Sequence, residues 1–128
     1  MKDLEEQLIT VATEACKHSY SPYSEFPVGA AVLTSNGEIY SGTNIENASY
    51  GATMCAERVA MFKAVSDGHR DICAIAVYAA AADYAFPCGM CLQVLSEFAG
   101  NIPVLIAGKA GVKRFTLSEL FPNPFQKK

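Results

Sequence analysis

The N-terminal segment carries a hydrophobic pattern that is typical of an amphipathic helix. Its apolar residues recur at spacings of three and four, on one helical face: Leu4, Leu8, Val11, Ala12, Ala15. This spacing predicts a helix over residues 2–18. Ser21-Pro22 is expected to end it, because the residue before a proline disfavours helical backbone.

Two apolar, β-branched runs follow the first helix, over residues 28–34 and 38–43. Ser35-Asn36-Gly37 lies between them, and an Asn-Gly pair in that position is a strong hairpin signal. The pattern therefore predicts two antiparallel strands joined by a tight turn.

The second half of the chain alternates helical patterns with apolar runs. Helices are predicted over residues 55–66 and 88–98, and buried strands over residues 72–79 and 103–107. A further strand and a short helix, capped by Thr116 or Ser118, are expected after them. The order α-β-β-α-β-α-β-(β)-α favours a mixed α/β sheet of about five strands with helices on both faces. We expect one domain over residues 1–128.

Composition restricts the functions that this domain can have. Of its 128 residues, 51% are hydrophobic and 18% are charged, which excludes a disordered chain. A net charge of -3 gives no electrostatic reason to expect a nucleic-acid partner, so a small molecule is the expected ligand. No apolar run approaches the roughly 20 residues that span a bilayer, and the acidic N-terminus lacks a signal-peptide core. We therefore expect a cytoplasmic protein without a membrane partner.

The candidate chemistry lies in two short segments, Cys55-Ala56-Glu57 and Pro87-Cys88-Gly89-Met90-Cys91. A Cys-x-x-Cys pair alone is shared with redox motifs, but a third cysteine just before a glutamate favours a metal site. Three thiolates leave one tetrahedral position of Zn²⁺ open, as catalytic zinc sites do. Cys55 and Cys88 are predicted at helix N-termini, where the helix dipole favours thiolates.

Glu57 stands two residues after a predicted zinc ligand. A carboxylate there is near enough to exchange protons with a zinc-activated water without being a ligand itself. Acid–base assistance of this kind is worth about 10²–10⁴-fold in rate. Glu57 is therefore the predicted proton shuttle.

These motifs resemble the cytidine deaminase family, since zinc deaminases combine such a glutamate with Pro-Cys-x-x-Cys. Two further segments extend the resemblance. Residues 21–31, Ser-Pro-Tyr-Ser-Glu-Phe-Pro-Val-Gly-Ala-Ala, are similar to the family's N-terminal signature. Residues 44–50, Asn-Ile-Glu-Asn-Ala-Ser-Tyr, are similar to its ribose-binding segment. The resemblance covers roughly residues 20–98 and implies a three-layer fold, one Zn²⁺ per subunit and a homotetramer.

The resemblance also implies roles for the residues around the metal. Asn44 and Glu46 would hydrogen-bond the ribose hydroxyls, and Phe26 would pack against the pyrimidine. The backbones of Ala56 and Phe86 would contact the edge of the base. Two remaining roles are implied at the periphery: Arg58 would offset the thiolate charge, and Phe125 would reach a neighbouring subunit's site.

Three positions depart from the family pattern: Phe86 replaces a serine, Met90 a small residue and Leu92 an arginine. Loss of a cation near three thiolates should raise the pKa of the zinc-activated water. We therefore expect slower cytidine deamination, or a shifted substrate, compared with a site that has both arginines.

The expected function is hydrolytic deamination of cytidine or 2′-deoxycytidine to the uridine product and ammonia. Two alternatives remain open. The same chemistry would serve an aminonucleoside antibiotic or a modified cytosine nucleoside, and a non-catalytic structural zinc protein would use only the cysteines. Simpler roles also remain open for single residues: Glu46 as a solvated loop charge, Arg58 as an exposed helix residue, and Phe26 as a core residue.

Overall fold

The structure, a computed structural model, describes residues 2–127. Its helices and strands follow the predicted order. They are α1 (Lys2–Cys16), β1 (Gly29–Thr34), β2 (Ile39–Thr43), α2 (Ala56–Ser66), β3 (Ile72–Ala79), α3 (Gly89–Phe98), β4 (Pro103–Gly108), β5 (Gly111–Thr116) and α4 (Leu117–Leu120). A 3-10 turn at Tyr50–Ala52 was not predicted.

The five strands form one mixed sheet in the order β2-β1-β3-β4-β5. The β3–β4 pair is parallel, and the other neighbouring pairs are antiparallel. β1 and β2 form the predicted hairpin, and Gly37 in its turn has a φ of 88° that favours glycine. The prediction of a mixed sheet of about five strands is confirmed.

Helices cover both faces of this sheet, as predicted. On one face, Leu8 and Ala12 of α1 are fully buried in a cluster with Leu33 of β1 and Leu105 of β4. On the other face, α2 and α3 contribute to a larger apolar cluster, in which Met61 and Leu95 are buried. The α2–α3 face is the side of the sheet that carries the candidate chemistry.

The helix ends differ from the predicted bounds by one or two residues. α1 ends at Cys16, two residues before the predicted end. α2 and α3 each begin one residue after the predicted cysteine, because Cys55 and Cys88 have extended backbone and serve as N-cap residues. Of the two candidate caps for the last helix, Thr116 is the N-cap and forms a capping box with Glu119.

β2 and α2 pack unusually close together at Gly42. A Cβ atom built there would lie 2.5 Å from both Ala56 O and Ala60 N. The absence of a side chain therefore lets the first turn of α2 lie directly on the sheet.

In the described part of the chain, no helix is long and apolar enough to cross a membrane. Met1 and Lys128, which the domain prediction included, lie outside the described residues.

Candidate active site

The N-termini of α2 and α3 bring three cysteines together. The sulfur of Cys88 lies 3.9 Å from that of Cys55 and 3.4 Å from that of Cys91. All three sulfur atoms lie within 4.8 Å of one another, and all three residues are free thiols. Two helix dipoles point their positive ends at this cluster, which favours negative charge on the sulfurs.

The geometry of the sulfurs fits a tetrahedral Zn²⁺ ion. Zn–S bonds of about 2.3 Å at tetrahedral angles place neighbouring sulfurs about 3.8 Å apart, close to the separations of Cys88 from Cys55 and Cys91. The pKa of Cys55 is lowered to about 5, chiefly by hydrogen bonding with Cys91 and further by Arg58. A metal needs thiolates, and Cys55 already favours that form.

Arg58 contacts the cysteine cluster from the first turn of α2. Its Nη2 donates a hydrogen bond to Cys55 Sγ at 3.3 Å, and this bond raises the pKa of the guanidinium. Its Nε is buried and lacks an acceptor among residues 2–127. A cation in this position lies close to the sulfurs, and its charge-compensating role stays a prediction.

Glu57 lies in the same turn, and only 5% of its surface is exposed. Burial raises the pKa of its carboxyl to about 7, so the group can both accept and release a proton near neutral pH. Glu57 lines a cavity beside the cysteines. Its placement suits proton transfer to a ligand in that cavity.

The cavity has a volume of about 580 Å³ and walls that are mostly apolar. Small-molecule sites commonly occupy 300–1,000 Å³ and combine apolar walls with a few polar groups. Eight of the residues predicted from the sequence line it: Phe26, Asn44, Glu46, Cys55, Ala56, Glu57, Phe86, Cys88. The third predicted zinc ligand, Cys91, is buried and does not line the cavity.

Asn44 holds the loop that precedes β1. Its Oδ1 accepts hydrogen bonds from Ser19 Oγ at 2.5 Å and from the Val28 amide at 2.9 Å. Its Nδ2 donates to the Phe26 carbonyl at 2.9 Å. An amide nitrogen has two hydrogens, so one N–H remains for a ligand within the described part of the chain.

Glu46 is also engaged with this loop. Its Oε1 accepts hydrogen bonds from the amides of Tyr23, at 2.9 Å, and Ser24, at 3.1 Å. Its Oε2 accepts a short hydrogen bond from Ser24 Oγ. A carboxylate offers about four acceptor positions, so one lone pair on Oε2 remains for a hydroxyl group.

The aromatic residues of the predicted site have different surroundings. Phe26 is 38% exposed and lines the cavity. The ring of Phe86 lies 5.7 Å from that of Phe115 in β5. Phe125 is 75% exposed and does not line the cavity of its own chain, while its backbone forms two hydrogen bonds with the Gln93 side chain.

The three departures from the family pattern also separate in the structure. Phe86 lines the cavity, whereas Met90 is 64% exposed and lies outside it. Leu92 is only 8% exposed and belongs to the apolar cluster on the α2–α3 face. An arginine side chain at position 92 would therefore lie in apolar surroundings.

Several cavity residues were missed by sequence reasoning: Ser24, Val28, Thr53, Met54, Val77, Tyr84, Ala85. Ser24 and Val28 lie inside the quoted N-terminal signature, so the family resemblance was the signal that could have indicated them. Tyr84 lies in a loop without a motif, and its ring is covered by Lys113 Nζ at 4.4 Å from the ring centroid.

Comparison with known proteins identifies the family. Residues 2–107 match the family described as "Cytidine and deoxycytidylate deaminase zinc-binding region". The chain belongs to this family. The match includes both cysteine segments, and zinc is the metal that fits the three sulfurs.

Relatives within the family agree over nearly the whole chain. The cytidine deaminase of Sporosarcina psychrophila is 48% identical over 95% of this chain and 91% of its own length. A crystal structure of the cytidine deaminase from Burkholderia pseudomallei superposes with a TM-score of 0.88, at 39% identity, over 94% of this chain and 98% of that one. The blasticidin-S deaminase of Bacillus cereus is 36% identical over 94% of this chain and 90% of its own length. The cytidine-deaminase-like α/β fold is therefore confirmed.

Proposed function

We propose that this chain is a zinc-dependent hydrolase that deaminates cytidine, 2′-deoxycytidine or both. The observation that carries the proposal is the buried carboxylate of Glu57 beside three converging sulfurs in one cavity. A structural zinc site has no use for such a carboxylate or for an adjoining cavity. Relatives named cytidine deaminase, at up to 48% identity, give the substrate.

Cys55, Cys88 and Cys91 would hold the zinc, one ion per subunit. When bound, zinc supplies Lewis-acid chemistry by lowering the pKa of a water from about 15.7 to roughly 7. The N-termini of α2 and α3 would favour negative charge in this cluster, and Arg58 donates a hydrogen bond directly to Cys55 Sγ.

Glu57 would move the protons of the reaction. Its carboxylate takes a proton from the water that adds to C4 of the cytosine ring and gives this proton to N3. The same carboxylate then passes the remaining proton of the new C4–OH group to the amino group, so that C4=O forms as the C4–N bond breaks and ammonia departs. Water and cytidine thus yield uridine and ammonia. A carboxyl whose pKa is raised to about 7 by burial is suited to both transfers.

The rest of the cavity would hold the nucleoside in place. The free lone pair of Glu46 and the free N–H of Asn44 would bind the ribose hydroxyls. Phe26 would stack on the base, and the first-turn backbone at Ala56 would meet its edge, where helix amides lack intrahelical partners. The Phe86 backbone carbonyl would hold the exocyclic amine.

Loss of cytidine absorbance on incubation with zinc-loaded protein tests this function, with Glu57→Gln as the matched control. We expect Glu57→Gln to keep its zinc and lose at least 10²-fold in kcat. A native protein without turnover would contradict the substrate, and equal turnover in Glu57→Gln would contradict the mechanism. A metal assay that finds no zinc would contradict both.

A second candidate keeps this chemistry on another substrate, such as an aminonucleoside antibiotic. Phe86 in the cavity wall and the similarity to a blasticidin-S deaminase favour it. The ribose-facing groups of Asn44 and Glu46 favour an ordinary nucleoside instead. The ratio of kcat/KM for cytidine to that for blasticidin S, measured on one preparation, decides between the two.

We further propose that residues 1–128 form one domain and that four copies assemble into a cytoplasmic homotetramer. Both apolar clusters are built on the same sheet, which supports a single domain. The exposed ring of Phe125, which lies outside its own cavity, supports a role at a neighbouring subunit's site. The cytoplasm would keep the zinc-binding thiols reduced. Sedimentation of the zinc-loaded protein at the mass of one subunit would contradict the tetramer.

A further inference from the structure

The loop between α1 and β1 contains a tight turn beside the cavity. The Glu25 amide donates a hydrogen bond to the Ser21 carbonyl at 2.9 Å. Glu25 itself has a φ of 55°, in the left-handed region that few non-glycine residues adopt. Such a conformation persists only where the surrounding contacts hold it, so this turn has a defined shape.

The hydroxyl of Ser24 connects two cavity residues within this turn. It donates its hydrogen to Glu46 Oε2 and accepts a hydrogen bond from the Phe26 amide at 3.1 Å. A serine hydroxyl has one donor and two acceptor positions, so both contacts can form together. One hydroxyl thus links Phe26, which is proposed to stack on the base, to Glu46, which is proposed to bind the ribose.

We propose that Ser24 is a positioning residue that fixes the Glu46 carboxylate, relative to Phe26, in the orientation that binds the ribose. This inference rests on the proposed function, because that function assigns the ribose to Glu46. Ser24 acts through Glu46 and is not itself a catalytic residue.

Exposure explains why the carboxylate needs this support. Glu46 is only partly buried, and a glutamate side chain has three rotatable bonds that must be fixed before it can bind a ligand. The amides of Tyr23 and Ser24 hold Oε1, and the Ser24 hydroxyl holds Oε2, before a ligand arrives. Groups held in their bound geometry lose less entropy when they bind. The Ser24 hydroxyl is the only side-chain donor of these three, so it is the one donor that a substitution can remove.

The pKa of Glu46 agrees with this arrangement. It is lowered from its ordinary value, first by the hydrogen bond from the Ser24 hydroxyl and then by the backbone amides of Ser24 and Tyr23, while burial works in the opposite direction. The ionised carboxylate is thus the form that the loop selects, and this form accepts hydrogen bonds from ribose hydroxyls.

Steady-state kinetics on cytidine measures the effect of the hydroxyl. A hydrogen bond to a charged group is worth roughly 10-fold or more in an equilibrium constant. We therefore expect Ser24→Ala to raise KM about 10-fold and to change kcat less than about 3-fold, because the carboxylate acts in binding. Ser24→Thr keeps the hydroxyl and should restore most of the affinity. Ser35→Ala, an exposed serine in the β1–β2 turn, is the matched control.

A double-mutant cycle shows whether Ser24 acts through Glu46. Combined with Glu46→Gln, the Ser24→Ala substitution should raise KM much less than it does alone, because the carboxylate that it positions is gone. An equal increase in both backgrounds would overturn the proposal. So would a Ser24→Ala variant with an unchanged KM.

A measurement without turnover separates this inference from the proposed function. In protein labelled with ¹³C at glutamate side chains, the Glu46 carboxyl should titrate below its ordinary pKa, move up in Ser24→Ala and stay low in Ser24→Thr. A carboxyl that titrates identically in all three proteins overturns the inference. If the native protein does not turn over cytidine while Glu46 follows the expected shifts, the substrate assignment fails and the Ser24–Glu46 contact stands.

Discussion

Gly42 sets the distance between α2 and the sheet, and Gly42→Ala tests whether this distance determines the active site. The new Cβ atom would lie 2.5 Å from Ala56 O and from Ala60 N, where ordinary contacts begin near 3.4 Å. Both atoms belong to the helix backbone and cannot rotate away as a side chain could. The helix must therefore move outward by roughly 0.9 Å, the difference between the two distances.

This movement has consequences for stability and for chemistry. Forcing an extra carbon into a well-packed region costs about 1–3 kcal/mol, which for a domain of this size lowers Tm by roughly 4–12 °C. Ala56 lies between Cys55 and Glu57, so the same shift moves a zinc ligand and the predicted proton shuttle. A misplacement of about 1 Å can cost 10²-fold in rate, and we expect kcat to fall between about 10- and 100-fold.

Thermal unfolding and steady-state kinetics of the zinc-loaded proteins check both effects. Gly100→Ala is the matched control, because a Cβ there would meet no heavy atom within 4 Å. The control should keep the native Tm and kcat. If Gly42→Ala behaves like Gly100→Ala, the close approach of α2 does not position the site. A lower Tm with native kcat would show that Gly42 stabilises the fold without setting the geometry of the chemistry.

Two further substitutions test the charge around the cysteines. Arg58→Gln removes the hydrogen bond to Cys55 Sγ and should weaken zinc binding about 10–100-fold in competition with a chelator, whereas the exposed Arg70→Gln should leave zinc affinity unchanged. Leu92→Arg adds a cation one residue after Cys91 and should move the acid limb of the kcat/KM profile to lower pH, at a cost in Tm because Leu92 is 8% exposed in an apolar cluster. A pH profile identical to that of Leu92→Met would contradict the electrostatic reasoning.

The sequence predicted those parts of the fold that depend on short-range patterns. Periodic apolar residues located α1, and Asn36-Gly37 located the β1–β2 hairpin, because both signals arise within a few neighbouring positions. The cysteines of the zinc site could be predicted equally well, because the spacing of Cys88 and Cys91 is itself the signal. The family resemblance then added the prediction that residues 44–50 bind the ribose.

The contacts that hold the cavity residues in place could not be predicted from the sequence in the same way. Ser24 and Glu46 are 22 positions apart, and only the path of the loop shows that a hydroxyl meets a carboxylate. The direction of Leu92 into the apolar cluster depends on how α3 packs. No local turn signal marks Gly42. Its importance comes from its close approach to a helix that begins 14 residues later. In each case the information lies in tertiary packing.

The structure also narrows the reasons for expecting an unusual substrate. Three departures from the family pattern motivated that alternative, but Met90 lies outside the cavity and Leu92 is buried in the apolar cluster. Neither can contact a nucleoside in that cavity, so they can affect the reaction only through the zinc ligands or the position of α3. Phe86 is the one departure that lines the cavity, and its ring packs against Phe115. Among the three departures, a direct effect on substrate choice is therefore expected only at Phe86, and an effect on the chemical step is expected from Leu92.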